Sequence, residues 1–141
     1  MLDAGASILE KAGLLDRVQL RHGYLPGADL PKTYFDTVIS NSLLHHLLNP
    51  LVLWQSIKEF AAPGAAVFVM DLLRPNSSDT AKALVKTYAE DEPEILKKDF
   101  YYSLLAAYRE DEVRDQLKEE GLTKLQFKVV SDRHFVVYGN L

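Results

Sequence analysis

The sequence predicts an α/β fold with a mainly parallel sheet and an antiparallel pair of strands at the end of the chain. Helical and strand periodicities alternate along the chain. The run Ala65–Leu73 is almost continuously apolar, as in a strand of a parallel sheet that is buried on both faces. From Lys124 onward, two alternating runs flank a short polar turn, which is typical of a hairpin. A chain of 141 residues is predicted to form a single domain, residues 1–141.

The N-terminal part predicts a helix, a short strand and a loop. Apolar residues recur at helical spacing over Leu2–Ala12, and Gly13 stands where helices commonly end in a left-handed conformation. Arg17–His22 alternates polar and apolar side chains, which predicts a short strand. Two prolines and a glycine within Tyr24–Pro31 predict a loop.

The central part predicts a strand, a helix and the long apolar strand. Phe35–Ser40 is the first strand of this central part. Asn49 and Pro50 open the helix as N-cap and first helical residue. The apolar side chains along one face of this helix are Leu51, Trp54, Ile57 and Phe60. The helix is expected to end at Pro63–Gly64, immediately before the strand Ala65–Leu73.

The C-terminal half predicts three helices and a hairpin. A helix capped within Ser77–Thr80 is followed by a second after Pro93 and by a third that ends at Gly121. Lys124–Val130 and His134–Tyr138 then alternate apolar and polar side chains, as the two strands of a hairpin do.

Composition excludes several classes of function. Sixteen lysines and arginines against twenty acidic residues give a net charge of −4, which argues against a nucleic-acid binder and against a basic membrane patch. The absence of cysteine excludes disulfides, thiolate catalysis and cysteine-type zinc sites. No apolar run approaches the roughly 20 residues that span a bilayer, and no signal peptide is recognisable. We therefore expect a cytoplasmic protein that binds neither nucleic acid nor membrane.

Several segments resemble the class I S-adenosylmethionine-dependent methyltransferases. Phe35–Leu47 is similar to the fourth-strand segment of that family, and Gly64–Pro75 to its fifth strand, which carries an acidic residue, here Asp71, at the carboxyl end. Ala12–Val18 resembles the approach to the third strand, and Glu112–Leu122 the helix before the terminal hairpin. The resemblance covers nearly the whole chain in order and spacing. It implies a Rossmann-like methyltransferase sheet and S-adenosylmethionine as cofactor.

The family's cofactor fingerprint has no counterpart in this sequence. In the family, a Gly-rich loop between a strand and a helix lets the backbone approach the methionine end of the cofactor. No G-x-G-x-G occurs, since the seven glycines are scattered singly. The resemblance implies that Met1 lies inside or just before the helix after an absent second strand, so that about 30 residues or more are missing. We therefore expect an N-terminally truncated domain with impaired cofactor binding.

The resemblance also implies where ligands bind, because open α/β sheets bind them outside the carboxyl ends of their strands. The residues implied to approach the cofactor are Ser40, Asn41 and Ser42, and those implied to lie nearer a small-molecule substrate are His45, His46 and Asp71. The family often has an acidic residue after the third-strand glycine, where it meets the adenine amino group. Here Tyr24 follows Gly23, so Asp29 serves this purpose or no residue does.

Methyl transfer from a sulfonium depends mainly on in-line positioning, and a base is needed only when the acceptor must lose a proton. Either His45 or His46 could be that base. Packing or capping is the open alternative for both, because adjacent side chains on a helix diverge by about 100° and rarely serve one site. A metal site built from these histidines and Asp71 is not expected, since nothing repeats at a ligand spacing.

The leading hypothesis is methyl transfer by the parent domain to an undetermined small acceptor. The alternative is a non-enzymatic domain that assembles with itself or with a partner. In the family, the two missing strands lie between the third and fourth, so Val18–Arg21 would lack neighbours and Phe35–Ser40 would be an open apolar edge that recruits other strands. We expect the Val18–Arg21 strand to shift and pair directly with its successor Phe35–Ser40, or two chains to join edge to edge as a homodimer.

Overall fold

A computed structural model describes residues 2–141, and the expectation for Met1 therefore lies outside the described residues. The helices are α1 (Leu2–Lys11), α2 (Leu51–Phe60), α3 (Ser78–Ala89), α4 (Glu94–Ala106) and α5 (Glu110–Glu119), with a 3₁₀ turn at Leu44–His46. The strands are β1 (Phe35–Asn41), β2 (Ala61–Leu72), β3 (Gln126–Val129) and β4 (His134–Asn140).

The four strands form one mixed sheet in the order β1-β2-β4-β3. Strand β1 is parallel to β2, whereas β4 is antiparallel to both β2 and β3. The α/β class, the parallel pair and the C-terminal antiparallel hairpin are thus confirmed. Strand β1 is the first in this order, and no other strand within residues 2–141 pairs with its outer edge.

The predicted strand at Arg17–His22 is wrong. Residues 18–24 are irregular, and the whole connection from Gly13 to Tyr34 contains only turns and bends. A strand persists only where its backbone groups have a partner, and this segment pairs neither with β1 nor with any other strand of the described chain. The expected direct pairing with its successor is wrong for the same reason. The helix before it and the loop at Tyr24–Pro31 are confirmed, and Gly13 has a φ of +66°.

The prediction that the long apolar strand is buried on both faces is also wrong. Along β2, Val67 and Val69 are buried, whereas the side chain of Phe68 between them is 41% exposed. Phe68 lies between Ile39 of β1 and Tyr138 of β4 in the sheet register, and Ile39 is 70% exposed. The apolar run gives no sign of this difference, because Phe68 and its buried neighbours are equally hydrophobic.

The core lies on the opposite face of the sheet, against α2 and α5. Trp54 of α2 is fully buried, and its Nε1 donates to Oε1 of Gln116 in α5 at 2.9 Å. The rings of Phe127 and Phe135 stack on the sheet side, with centroids 4.9 Å apart. Oδ1 of Asn49 accepts from the Leu51 amide at 3.0 Å, but the N-cap position is Pro50 and α2 begins at Leu51, one residue later than predicted. The helix ends at Phe60, before the expected Pro63–Gly64.

Helices α3 and α4 pack against each other beyond the carboxyl end of β2, and α4 contacts the 3₁₀ turn. Ser77 caps α3 as predicted, since its Oγ accepts from the Thr80 amide at 3.1 Å. A small apolar cluster holds this pair in place, and its buried members are Leu72, Ala81, Leu84, Leu104 and Ala107. None of the helices in residues 2–141 is long and apolar enough to cross a membrane.

Candidate functional site

The candidate site lies where β1 and β2 end side by side. Because the two strands are parallel, their carboxyl ends meet at one edge of the sheet. After β1, the Ser42 amide still donates to the Met70 carbonyl at 2.9 Å, and Ser42 then adopts a φ of +53°. This left-handed conformation is uncommon for a residue other than glycine. It turns the chain out of the sheet and into the 3₁₀ turn that carries both histidines.

Asp71 connects the ends of the two strands. Its carboxylate is 1% exposed and accepts three hydrogen bonds. Oδ2 accepts from the Leu44 amide at 2.7 Å, while Oδ1 accepts from the Leu72 amide at 2.7 Å and from Nδ1 of His45 at 2.5 Å. A buried carboxylate is tolerated only when donors surround it, and these three bonds meet that requirement. Asp71 therefore holds the 3₁₀ turn against β2.

The same contact fixes the orientation of His45. A carboxylate can only accept, so Nδ1 of His45 is the donor, and in the neutral ring Nε2 is left as the acceptor. The His45 side chain is 4% exposed. Its geometry is that of an imidazole whose tautomer is set by a carboxylate, which is the arrangement of many general bases.

The structure brings His46 into contact with His45. The ring centroids are 4.0 Å apart with an angle of 41° between the planes, although His46 is exposed and His45 is buried. The expectation that the two side chains diverge is therefore wrong here, whereas their service of one site stays a prediction. Rotation about χ1 moves an imidazole by several ångströms, so the directions of two Cα–Cβ bonds do not fix the positions of the rings.

Ser40, Asn41 and Ser42 line a groove of about 600 Å³ along the free edge of β1. The opposite wall is apolar and comes from α2, chiefly Ile57 and Phe60. Ser40 is 8% exposed, and its Oγ has no hydrogen-bond partner in the described part of the chain. A buried hydroxyl without a partner costs about 1–3 kcal/mol. Because the oxygen itself is buried, a bound group reaches it only when the Ser40 side chain rotates about χ1.

Asp29 does not line this groove. It is exposed in the irregular connection before β1, where its backbone oxygen accepts from the Arg21 guanidinium at 3.1 Å. It borders a separate cavity of about 440 Å³, although Leu25 and Leu30 line both spaces. The structure thus places Asp29 next to the groove and apart from the other predicted site residues.

Tyr108 and Glu112 lie near the site, and neither was identified as a site residue from the sequence. Tyr108 donates from its hydroxyl to the Leu47 carbonyl at 3.4 Å, and burial raises the pKa of this phenol, with Glu112 adding to the effect. Glu112 binds Arg74 at 3.1 Å, and Arg74 also donates to the Ala107 carbonyl at 2.7 Å. The sequence signal that could have indicated Tyr108 is the group of aromatic residues between β2 and α5, namely Tyr88, Phe100, Tyr101, Tyr102 and Tyr108.

Among residues 2–141, no group of three or more histidine, aspartate or glutamate side chains is placed to hold a metal ion.

Asp71→Asn is expected to destabilise the protein more than the same substitution at any exposed aspartate. The amide cannot accept from all three donors, and leaving a buried donor without an acceptor costs about 1–3 kcal/mol. Urea denaturation of Asp71→Asn measures this loss, with Asp99→Asn on the exposed side of α4 as the matched control. Equal free energies of unfolding for the two variants would show that the Asp71 contacts contribute nothing to stability.

Comparison with known proteins identifies the fold. No protein-family model and no curated protein matches the chain, but solved structures do. A SAM-dependent methyltransferase from Aquifex aeolicus has a TM-score of 0.64 at 20% sequence identity, covering 95% of this chain and 60% of its own. A candidate S-adenosyl-L-methionine-dependent methyltransferase from Methanococcus maripaludis has a TM-score of 0.66 at 15% identity, covering 94% of this chain and 58% of its own.

A candidate O-methyltransferase from Nostoc punctiforme has a TM-score of 0.66 at 18% identity, covering 98% of this chain and 42% of its own. The chain therefore spans 42–60% of the length of these three structures. At such low identity the likeness establishes the fold alone. Over the part that it covers, the chain has the Rossmann-like α/β fold of S-adenosylmethionine-dependent methyltransferases.

Proposed function

We propose that the domain to which this chain belongs transfers a methyl group from S-adenosylmethionine to a small acceptor. The observation that carries the proposal is the buried Asp71–His45 pair at the carboxyl ends of two parallel strands, in a fold shared with methyltransferases. Ligands of open α/β sheets bind at that edge. A carboxylate-oriented imidazole there is suited to taking a proton from an acceptor.

The proposed roles follow the geometry of the turn. The bound cofactor supplies a methyl group on a sulfonium, which is already activated for transfer. Nε2 of His45 accepts the proton that the acceptor oxygen or nitrogen loses as it forms its bond to the methyl carbon, and Asp71 holds the ring through Nδ1. His46 lies exposed against that ring and positions the acceptor. Proximity of the acceptor to the methyl group supplies most of the rate.

The proposed cofactor contacts lie at the end of β1. The unpartnered hydroxyl of Ser40 fits a polar group of the cofactor, and Asn41 and Ser42 continue the same wall of the groove. Asp29 is proposed for the adenine side, from the adjoining cavity.

These contacts are few for a cofactor of this size. The sequence has no Gly-rich loop whose backbone could follow the methionine end of the cofactor, and the chain spans at most 60% of the three structures compared above. We therefore propose that residues 1–141 alone bind S-adenosylmethionine weakly or not at all.

A second, non-enzymatic function is favoured by one specific observation. Strand β1 is the outermost strand of the sheet, and its Ile39 is 70% exposed. An open apolar edge of this kind pairs with other strands. We propose assembly through this edge as the alternative function of the chain.

Isothermal titration of the purified chain with S-adenosylmethionine and with its demethylated product tests the proposal. The expected dissociation constant is about 1 mM or weaker, because only the end of β1 contacts the cofactor. The Aquifex aeolicus methyltransferase, titrated under the same conditions, is the control for an intact fold of this class.

Micromolar binding by the chain alone would contradict the impaired cofactor site. The coding DNA immediately upstream of Met1 tests the methyl-transfer proposal separately. An encoded strand followed by a Gly-rich loop supports the enzyme, whereas an in-frame stop codon directly upstream favours assembly.

A further inference from the structure

We propose that β1 pairs with β1 of a second copy of this chain, antiparallel and centred on Val38, so that Asp36 of each copy binds Ser40 of the other. The inference rests on the second function proposed above, and its contact at Ser40 competes with the cofactor contact proposed for the same residue. It specifies the partner, the register and a polar contact across the junction.

The free edge of β1 lacks the features that keep edge strands apart. Monomeric proteins protect such edges with charges, prolines or bulges. In Phe35–Asn41 the only charged residue is Asp36, and proline is absent. The pairing with β2 is regular from Thr37 onward, since the register shift lies between Phe35 and Thr37. An edge that carries a single charge, is regular from Thr37 onward and is partly apolar is suited to pairing.

The orientation of the backbone decides which residues can pair. The Ser42 amide donates inward to the Met70 carbonyl of β2. Backbone groups alternate in direction along a strand, so the even-numbered residues bond to β2 and the odd-numbered residues direct their N–H and C=O groups outward. The outward residues of β1 are Phe35, Thr37, Ile39 and Asn41.

Complete overlap of the strand with itself satisfies these outward groups. In an antiparallel pair of two seven-residue strands, the fourth residue, Val38, lies on the two-fold axis. Thr37 then lies opposite Ile39 of the second copy, and Phe35 opposite Asn41, so every outward residue meets another outward residue. Each such pair exchanges both hydrogen bonds, which gives about eight main-chain bonds in total.

The same register accounts for the unpartnered hydroxyl in the groove. Asp36 lies directly opposite Ser40 of the second copy, on the face of the sheet that also carries Val38. Side chains directly opposite each other have Cβ atoms about 4.5–5.5 Å apart, which allows Oγ of Ser40 to donate to the Asp36 carboxylate. The two copies of Asp36 are kept apart, each at one end of the junction. The pairing thus supplies an acceptor for a buried donor that has none in the described chain.

The junction is small, and this sets the expected affinity. Seven residues extend over about 24 Å, and one strand edge buries well under the roughly 800 Å² per partner of a standard interface. The dimer is therefore expected to be reversible and to depend on concentration in the micromolar range.

Cysteine cross-linking tests the register, because the natural chain contains no cysteine and each introduced thiol can pair only with that of another copy. Val38→Cys places two thiols on the axis, with Cα atoms about 4.5 Å apart, within the range that a disulfide spans. Asn41→Cys is the matched control on the same strand, since its two copies lie about 20 Å apart. Val38→Cys should form covalent dimers on mild oxidation and Asn41→Cys should remain monomeric.

Mixing two cysteine variants tests by disulfide formation whether Asp36 of one copy lies opposite Ser40 of the other. Asp36→Cys and Ser40→Cys are expected to form a mixed disulfide dimer when combined, whereas each remains monomeric alone. Failure of Val38→Cys to cross-link, or equal cross-linking of Asn41→Cys, overturns the proposed register. Circular dichroism confirms that each variant is folded before oxidation.

Sedimentation velocity of the unmodified chain, from about 5 to about 500 µM, tests the dimer itself. Asp36→Ala removes two Asp36–Ser40 bonds per dimer and should weaken association about tenfold or more. Because Asp36 is exposed, the monomer should keep its stability, and Asp115→Ala, a matched aspartate substitution at an exposed site on α5, should associate normally. A monomer at all concentrations overturns the inference, and the cofactor titration above is unaffected by that outcome.

Discussion

The half-satisfied hydrogen bonding of β1 is the constraint on which the other features of the structure depend. One side of this strand is bonded to β2, and the other side has no strand beside it within residues 2–141. The groove lined by Ser40, Asn41 and Ser42 runs along this uncovered side, and residues 18–24 form no strand that could pair with it. The exposed Ile39 adds an apolar side chain to an edge whose backbone groups also lack partners.

Asp71 is the opposite case, a buried group whose hydrogen bonding is complete. Its three donors come from the amides of Leu44 and Leu72 and from the ring of His45. They hold the turn after β1, which carries the proposed base His45, against the end of β2. The proposed substrate side is thus held by three hydrogen bonds, whereas the proposed cofactor side consists of one strand end, which is why we propose impaired cofactor binding.

Sequence reasoning identified elements whose signals are local and missed features that depend on tertiary neighbours. The strand at Phe35–Ser40, the cap at Ser77 and the terminal hairpin are all present, because capping residues and β-branched runs act within a few residues. The strand at Arg17–His22 is not formed, because alternation cannot supply a pairing partner. The three bonds of Asp71 join residues up to 27 positions apart, and neither periodicity nor spacing predicts such a contact.

Amide hydrogen exchange along β1, followed residue by residue by NMR, tests the central claim that this strand is the outermost one. In dilute protein the inward amides of Val38, Ser40 and Ser42 should exchange slowly, because they bond to β2. The outward amides of Thr37, Ile39 and Asn41 should exchange rapidly and become protected as the concentration rises. Slow exchange of all six amides in a dilute monomer would mean that the outer edge is already covered, and would contradict this account.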